Sequence, residues 1–243
     1  PSRGLEILFY QTLVGAWPLG WNGETDRENF VERLSAFLIK ASKEAKEQTS
    51  WTSPNEAYDR AVAEFAGKLF ENAAFVREAR QIAEFISPYG ASNGLGQTLL
   101  KLCSPGIPDT YQGNEYWNQT LVDPDNRRPV DFEARRSSLS QIRSRLDQRG
   151  ELARELLGRY EDGHVKQYVL HRALEARKQD PELFLRGDYQ GLAAGPHVVA
   201  FTRQNGGSRL VCAAVRHPFK KTQGRSAFAI GDVWERETLR LPE

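Results

Sequence analysis

Through roughly the first 90 residues, apolar side chains recur at helical spacing. Phe30, Leu34, Phe37, Leu38, Ala41 and Ala45 fall on one face, and Thr25-Asp26-Arg27-Glu28 ahead of them reads as a capping box. The period breaks at Thr49-Ser50-Trp51-Thr52. Ser53-Pro54-Asn55-Glu56 then restarts it with a serine cap, a proline at the first helical position and a glutamate behind it. Tyr58, Val62, Phe65 and Leu69 continue the stripe. A third helix is expected from Phe75 to Ile86, ended by Pro88-Tyr89-Gly90. A helix end is expected within residues 96–103, followed by a short buried strand running into Ser104-Pro105-Gly106-Ile107-Pro108.

Asp109 to Pro129 has no clear period. At roughly 20 residues it exceeds the usual connection, which makes it a functional-loop candidate. Helical patterns return over Asp131–Arg145, Glu151–Tyr160 and His164–Lys178, and Asp180-Pro181 opens a short last helix. Near Gly187 the period shortens to that of strands. His197–Thr202 and Arg209–Val215 flank Asn205-Gly206-Gly207, whose residues tolerate positive φ, and so predict a hairpin. Ala227–Ile230 and Thr238–Leu241 are expected to add two more strands. The predicted fold class is α+β: a mainly helical part over residues 1–186 and a small antiparallel β domain over 187–243.

The 33 basic and 32 acidic residues balance to a net charge of +1. A nucleic-acid grip needs a surplus of cations on one face, so none is expected. Arg127-Arg128 and Lys220-Lys221 read as solvated charge. No apolar run approaches the ~20 residues of a membrane span. Cys103 and Cys212 lie in apolar segments and read as buried free thiols in a reducing, cytoplasmic protein. The chain begins with proline and contains no methionine, which suits a fragment of a longer protein.

The 109–129 stretch carries the densest chemical vocabulary. Tyr111, Gln112, Glu115, Trp117, Asp123, Asp125, Asn126 and Arg127 place aromatic rings among amides, carboxylates and a guanidinium. A pyranose offers an apolar face to a ring and hydroxyls to such polar groups; the alternative is a turn-rich loop tied by ion pairs. A calcium loop starting at Asp123 fails, since Arg128 and Ala134 stand where glycine and glutamate are required. The four histidines show no ligand spacing, and no cofactor or metal is expected. Glycoside chemistry needs two carboxyl groups across the scissile bond. Asp125, beside Arg127 and Arg128, is held ionised and is a poor proton donor, so a positioning role is expected.

Ser104-Pro105-Gly106-Ile107-Pro108-Asp109-Thr110-Tyr111-Gln112-Gly113-Asn114-Glu115 resembles the segment around the eighth barrel strand of the α-amylase superfamily. With Leu121 through Phe132 behind it, the pattern resembles the maltooligosyltrehalose synthase family in particular. Tyr10 through Pro18, Lys43 through Tyr58, Gln97 through Lys101, Asp232-Val233-Trp234 and Leu239-Arg240-Leu241-Pro242 support it. The resemblance implies a (β/α)8 barrel enzyme that moves the reducing-end linkage of a maltooligosaccharide from α-1,4 to α,α-1,1. Its three catalytic carboxylates would lie on strands four, five and seven, ahead of Pro1, so none is carried over. The chain would supply the last barrel helices, a helical insertion, strand eight and the β domain, completed by the amino-terminal part of the same enzyme and inactive alone. Residues after a barrel strand face the active site. That implies a sugar-facing wall from the loop residues named above, with Trp51, Asn55 and Tyr58 as a second cluster or as helix packing and capping. Another α-glucan hydrolase or transferase, or a carbohydrate-binding module, is the competing reading.

Overall fold

The computed structural model describes residues 1–21 and 23–242. The chain forms two compact units, one from residues 1–86 and 118–129, the other from residues 87–117 and 130–243.

The first unit is built on α1 (Arg3–Gly15), α2 (Gly23–Ala45), α3 (Glu56–Glu71) and the opening turns of α4 (Ala73–Cys103). Ser2 caps α1 by accepting the Leu5 N–H. The stripes predicted for α2 and α3 meet in one aromatic core around Phe9, Phe30, Leu34, Leu38, Val62 and Phe70. Trp17 stacks on Trp21 at a ring separation of 4.7 Å and meets Phe30 edge-on, the geometry aromatic quadrupoles favour.

Two caps differ from expectation. α2 starts at Gly23, so Thr25 lies inside its first turn rather than ahead of it. α3 is capped by Asn55, not Ser53. The backbone of Ser53 is already spent in a turn with Ser50, and Pro54 precedes the cap instead of following it.

α4 corrects the expected break at Pro88, because the helix passes through it without ending. An interior proline forfeits one hydrogen bond and costs roughly 3 kcal/mol. Packing on both sides outweighs that: Ala79 and Ala83 sit in the first unit's core, and Ala91, Leu102 and Cys103 are buried in the second.

The second unit takes the remainder of α4 and adds α5 (Phe132–Arg143), α6 (Arg149–Gly158), α7 (His164–Gln179) and α8 (Pro181–Arg186). Asp131 and Asp180 cap α5 and α8 as aspartates should. Ile142, Leu152, Leu156 and Val165 form one cluster; Leu102, Leu170 and Ala173 form another. At Gly163, φ is +79°, and a Cβ there would stand 2.8 Å from the Cβ of Tyr116, so only glycine lets the two segments pass.

The sheet of this unit is three-stranded and antiparallel, in the order β1 (Asp188–Gly191), β2 (Val198–Asn205), β3 (Ser208–Val215). The predicted hairpin forms with Asn205 opposite Ser208 and Gly206 at φ +56°. β1 carries no apolar alternation and is exposed throughout, so pairing with β2 alone defines it.

Three expected strands are absent among the described residues. No strand precedes Ile107, whose side chain is 88% exposed. A parallel barrel strand has its backbone groups satisfied only by flanking strands, and the sheet here is antiparallel and formed elsewhere. Neither 227–230 nor 238–241 is extended into a ladder. Positive φ at Gly224, Gly231 and Glu235 interrupts that tail, and a short helix, α9 (Pro218–Thr222), precedes it.

Candidate functional site

The 109–129 stretch divides between the two units at Asn118. Its second half is centred on Asp125. Arg33 of α2 grips this carboxylate with two parallel hydrogen bonds, Nε to Oδ1 and Nη2 to Oδ2, both 2.8 Å. The Leu121 N–H donates to Oδ2 at 2.7 Å, and the second Arg33 nitrogen also reaches the Gln119 carbonyl at 2.8 Å. The two side chains are only 15% and 12% exposed, so this is a largely desolvated, bidentate pair. Burial works against the charged carboxylate, but the Arg33 hydrogen bonds, the Leu121 N–H and the Arg33 and Arg128 charges overcome it and hold Asp125 below the usual carboxylate range.

The flanking residues secure the same turn. Lys40 donates to the Asp123 carbonyl at 2.7 Å, and the Asp123 carboxylate pairs with Arg127 on the exposed side. Gln119 donates to the Trp17 carbonyl and accepts from the Leu19 N–H. Asn126 leaves its Oδ1 buried with no partner among the described residues.

Trp51, Asn55 and Tyr58 lie where α2 gives way to α3, with Asn55 and Tyr58 bonded to each other and Trp51 against Lys43. The Asn55 side-chain oxygen accepts the Tyr58 N–H at 3.1 Å, and the Asn55 N–H donates to the Thr49 hydroxyl at 3.0 Å. The Tyr58 hydroxyl accepts from the Ser2 N–H, while its ring packs on the core. It lines a shallow cavity of about 150 Å³ with Ser2, Leu5, Leu8 and Ser42. Trp51 is 60% exposed with Lys43 over its ring at 4.8 Å. Of the two aromatic residues, Trp51 is the more exposed.

The first half of the stretch belongs to the second unit. Tyr111 and Gln112 are exposed. Glu115 accepts from Arg135 of α5 at 3.1 Å, and the same guanidinium donates to the Gly113 and Asp131 carbonyls while covering the Tyr116 ring at 4.6 Å. Trp117 donates to the Tyr160 carbonyl and packs against the cluster of Ile142, Leu152, Leu156 and Val165, so its ring is committed to the fold. Lys166 donates to the Tyr116 carbonyl at 3.0 Å. Burial, with Lys101 adding to it and Glu115 opposing, pulls Lys166 down to about 8. Tyr116, Ser138 and Gln167 form a hydrogen-bonded row beneath.

Sequence reasoning named the carboxylates and rings but missed Arg33, Lys40, Arg135 and Lys166, which hold them. Arg33 lies 92 positions from Asp125 and on its helix looks like any exposed cation. Only the doubled carboxylates of the stretch, which need counter-charges from somewhere, gave a signal.

No family model matches the chain. A curated protein from Mycobacterium tuberculosis called a putative maltooligosyl trehalose synthase is 33% identical over 238 residues, which is 96% of this chain and 26% of that protein. A crystal structure of a maltooligosyl trehalose synthase superposes with a TM-score of 0.72 at 36% identity over 84% of this chain and 27% of that one. The maltooligosyltrehalose synthase from Arthrobacter ramosus does so with 0.67 at 33% identity over 90% of this chain and 26% of that one. The chain thus spans about a quarter of the length of the relatives it matches. In sequence along nearly all its residues, and in fold, this chain is the counterpart of that quarter of the maltooligosyltrehalose synthases.

Proposed function

We propose that the chain is the carboxy-terminal portion of a cytoplasmic enzyme that converts the reducing-end α-1,4 linkage of a maltooligosaccharide to α,α-1,1 by intramolecular transglucosylation. Residues 1–186 would serve the barrel and residues 187–243 a β domain. The amino-terminal part of the same enzyme would bring the reacting carboxylates, and this part the wall beside them.

The observation that carries this reading is the Arg33–Asp125 clamp. A carboxylate held by a bidentate guanidinium and a backbone N–H keeps its charge and gives up no proton at neutral pH. It is suited to fixing the shape of a binding turn, with Asp123, Asn126 and Arg127 presented beside it. Retaining a released glucose during an intramolecular transfer requires that water be shut out, and a turn fixed in this way does not yield. In the first unit Trp51 offers an exposed ring for sugar contact, and in the second Tyr111 and Gln112 offer exposed side chains separately.

The test is a pair of substitutions in the full-length enzyme. Asp125→Ala and Arg127→Ala should abolish turnover or divert product from trehalose linkage to free glucose. Wild-type kinetics and product ratio in both would refute the wall assignment. The isolated 243-residue chain should show no turnover of maltohexaose; activity there would place the reacting carboxylates within it.

A further inference from the structure

Two helices of the first unit pack on the same core yet present unlike outer sides. On α3 the outward positions carry charge, joined as Glu56–Arg60 and Glu64–Lys68 pairs four residues apart. That is the composition of a helix side that stays in water. α1 buries Leu5, Phe9 and Leu13. At 100° per residue, Ile7, Tyr10 and Val14 fall on its opposite side, and the only charged residues along the helix are Arg3 and Glu6. Ile7 is 50% exposed and Tyr10 40%. A helix apolar on two opposite sides is made to be covered on both.

α4 repeats the pattern where it runs through the first unit. Its buried positions there are alanines, Ala79 and Ala83, while Ile82 stands 53% exposed and Ile86 37%. Small apolar side chains inside and large ones outside invert the order of a helix with one wet side. The Arg80–Glu84 pair marks the part of α4 that does face water.

The comparisons supply the candidate for the cover. The matching segment is 26% of the curated relative and 27% of the solved one, so the larger part of such an enzyme is a covalent neighbour of the parts described here. A neighbour on the same chain is always at hand, and a face reserved for it need carry no charge. A lipid surface fits less well, because an interfacial helix lines its polar side with lysine and arginine, and α1 has Arg3 alone.

We propose that the outward sides of α1 and of α4 as far as Ile86 are the docking surface for the remaining portion of the enzyme, which covers Ile7, Tyr10, Val14, Ile82 and Ile86 in the full-length protein. This rests on the reading of the chain as the carboxy-terminal portion of a longer synthase. The same isoleucines are thus surface residues in the 243-residue chain and core residues in the whole.

The experiment compares the two proteins directly. Hydroxyl-radical footprinting of the unmutated 243-residue chain should label Ile7, Tyr10 and Ile82, and in the full-length enzyme the labelling should fall several-fold. Equal labelling in both would overturn the proposal without reliance on any variant. A concentration-dependent dimer of the 243-residue chain with Ile7 and Tyr10 already protected would overturn it too, by giving the face to a second copy. Ile7→Lys with Ile82→Lys, which keeps helix propensity, should leave the melting temperature of the 243-residue chain unchanged and lower that of the full-length enzyme by several degrees; the same shift in both would contradict the assignment. Failure of the enzymatic reading has a separate signature: a full-length wild type that protects these residues but forms no α,α-1,1 linkage from maltohexaose supports the docking surface and removes the reaction.

Discussion

Two arginines hold the two halves of the 109–129 stretch, and they do so differently. Arg33 meets Asp125 with both nitrogens of its fork, and a backbone N–H completes the carboxylate's shell. Arg135 meets Glu115 through one nitrogen, spends the other two on carbonyls, and leaves the Glu115 side chain 28% exposed. In one half the guanidinium fixes a charge; in the other it gathers backbone. The first arrangement makes a rigid acidic turn whose neighbours can serve a ligand. The second fastens the Gly113–Trp117 segment onto α5 and α7, while Tyr111 and Gln112 before it stay open to solvent. Similar residue types a few positions apart therefore have unlike consequences, set by how many of the arginine's donors the carboxylate receives.

The sharpest way to break that contrast is Asp125→Ala in the 243-residue chain. It strands the Arg33 charge in a site with little water, and should cost about 3 kcal/mol or more in urea unfolding. Glu115→Ala, whose partner retains two carbonyls, should cost about 1 kcal/mol. Equal losses would erase the distinction between the two clamps.

A pH series sharpens it further. Asp125 releases its proton more readily folded than unfolded. Its contribution is complete above the unfolded carboxylate value of ~3.9 and is lost as pH falls through the lower folded value. Wild type should lose stability below about pH 4 more steeply than Asp125→Asn; parallel curves would contradict the clamp. Lys166 works in the other direction. With a folded value of about 8 against ~10.4 unfolded, the unfolded chain binds the extra proton between them, so stability should rise across that window and flatten in Lys166→Met. Guanidinium unfolding at pH 7.5, 9 and 10 measures it. The smallest effect on folding should come from Trp51→Ala, within about 0.5 kcal/mol, since the ring is exposed; if Trp51 stacks on sugar, the same change should raise the KM of the full-length enzyme.

Much of this was legible in the sequence, and the failures have local reasons. Helical stripes such as Phe30-Leu34-Leu38 identified their own buried face, because the core they enter is continuous and aromatic. The glycine turn after Asn205 fixed the hairpin register. Pro88 misled because packing on both flanks outweighed a lost hydrogen bond. The apolar runs at 227–230 and 238–241 misled because positive φ in the tail leaves them no ladder to join. The rings and carboxylates of the candidate site were visible as residue types. Their roles were not, since Trp117 and Asp125 owe theirs to Tyr160 and Arg33, 43 and 92 positions away.

Gly163 carries the last consequence. Its missing side chain is the space through which the backbone at Tyr116-Trp117 passes. A single methyl group introduced there would act as a wedge, prising the indole of Trp117 from its carbonyl and the Tyr116 ring from the guanidinium above it. One hydrogen atom on the second segment thus stands as the clearance on which the first half of the loop depends.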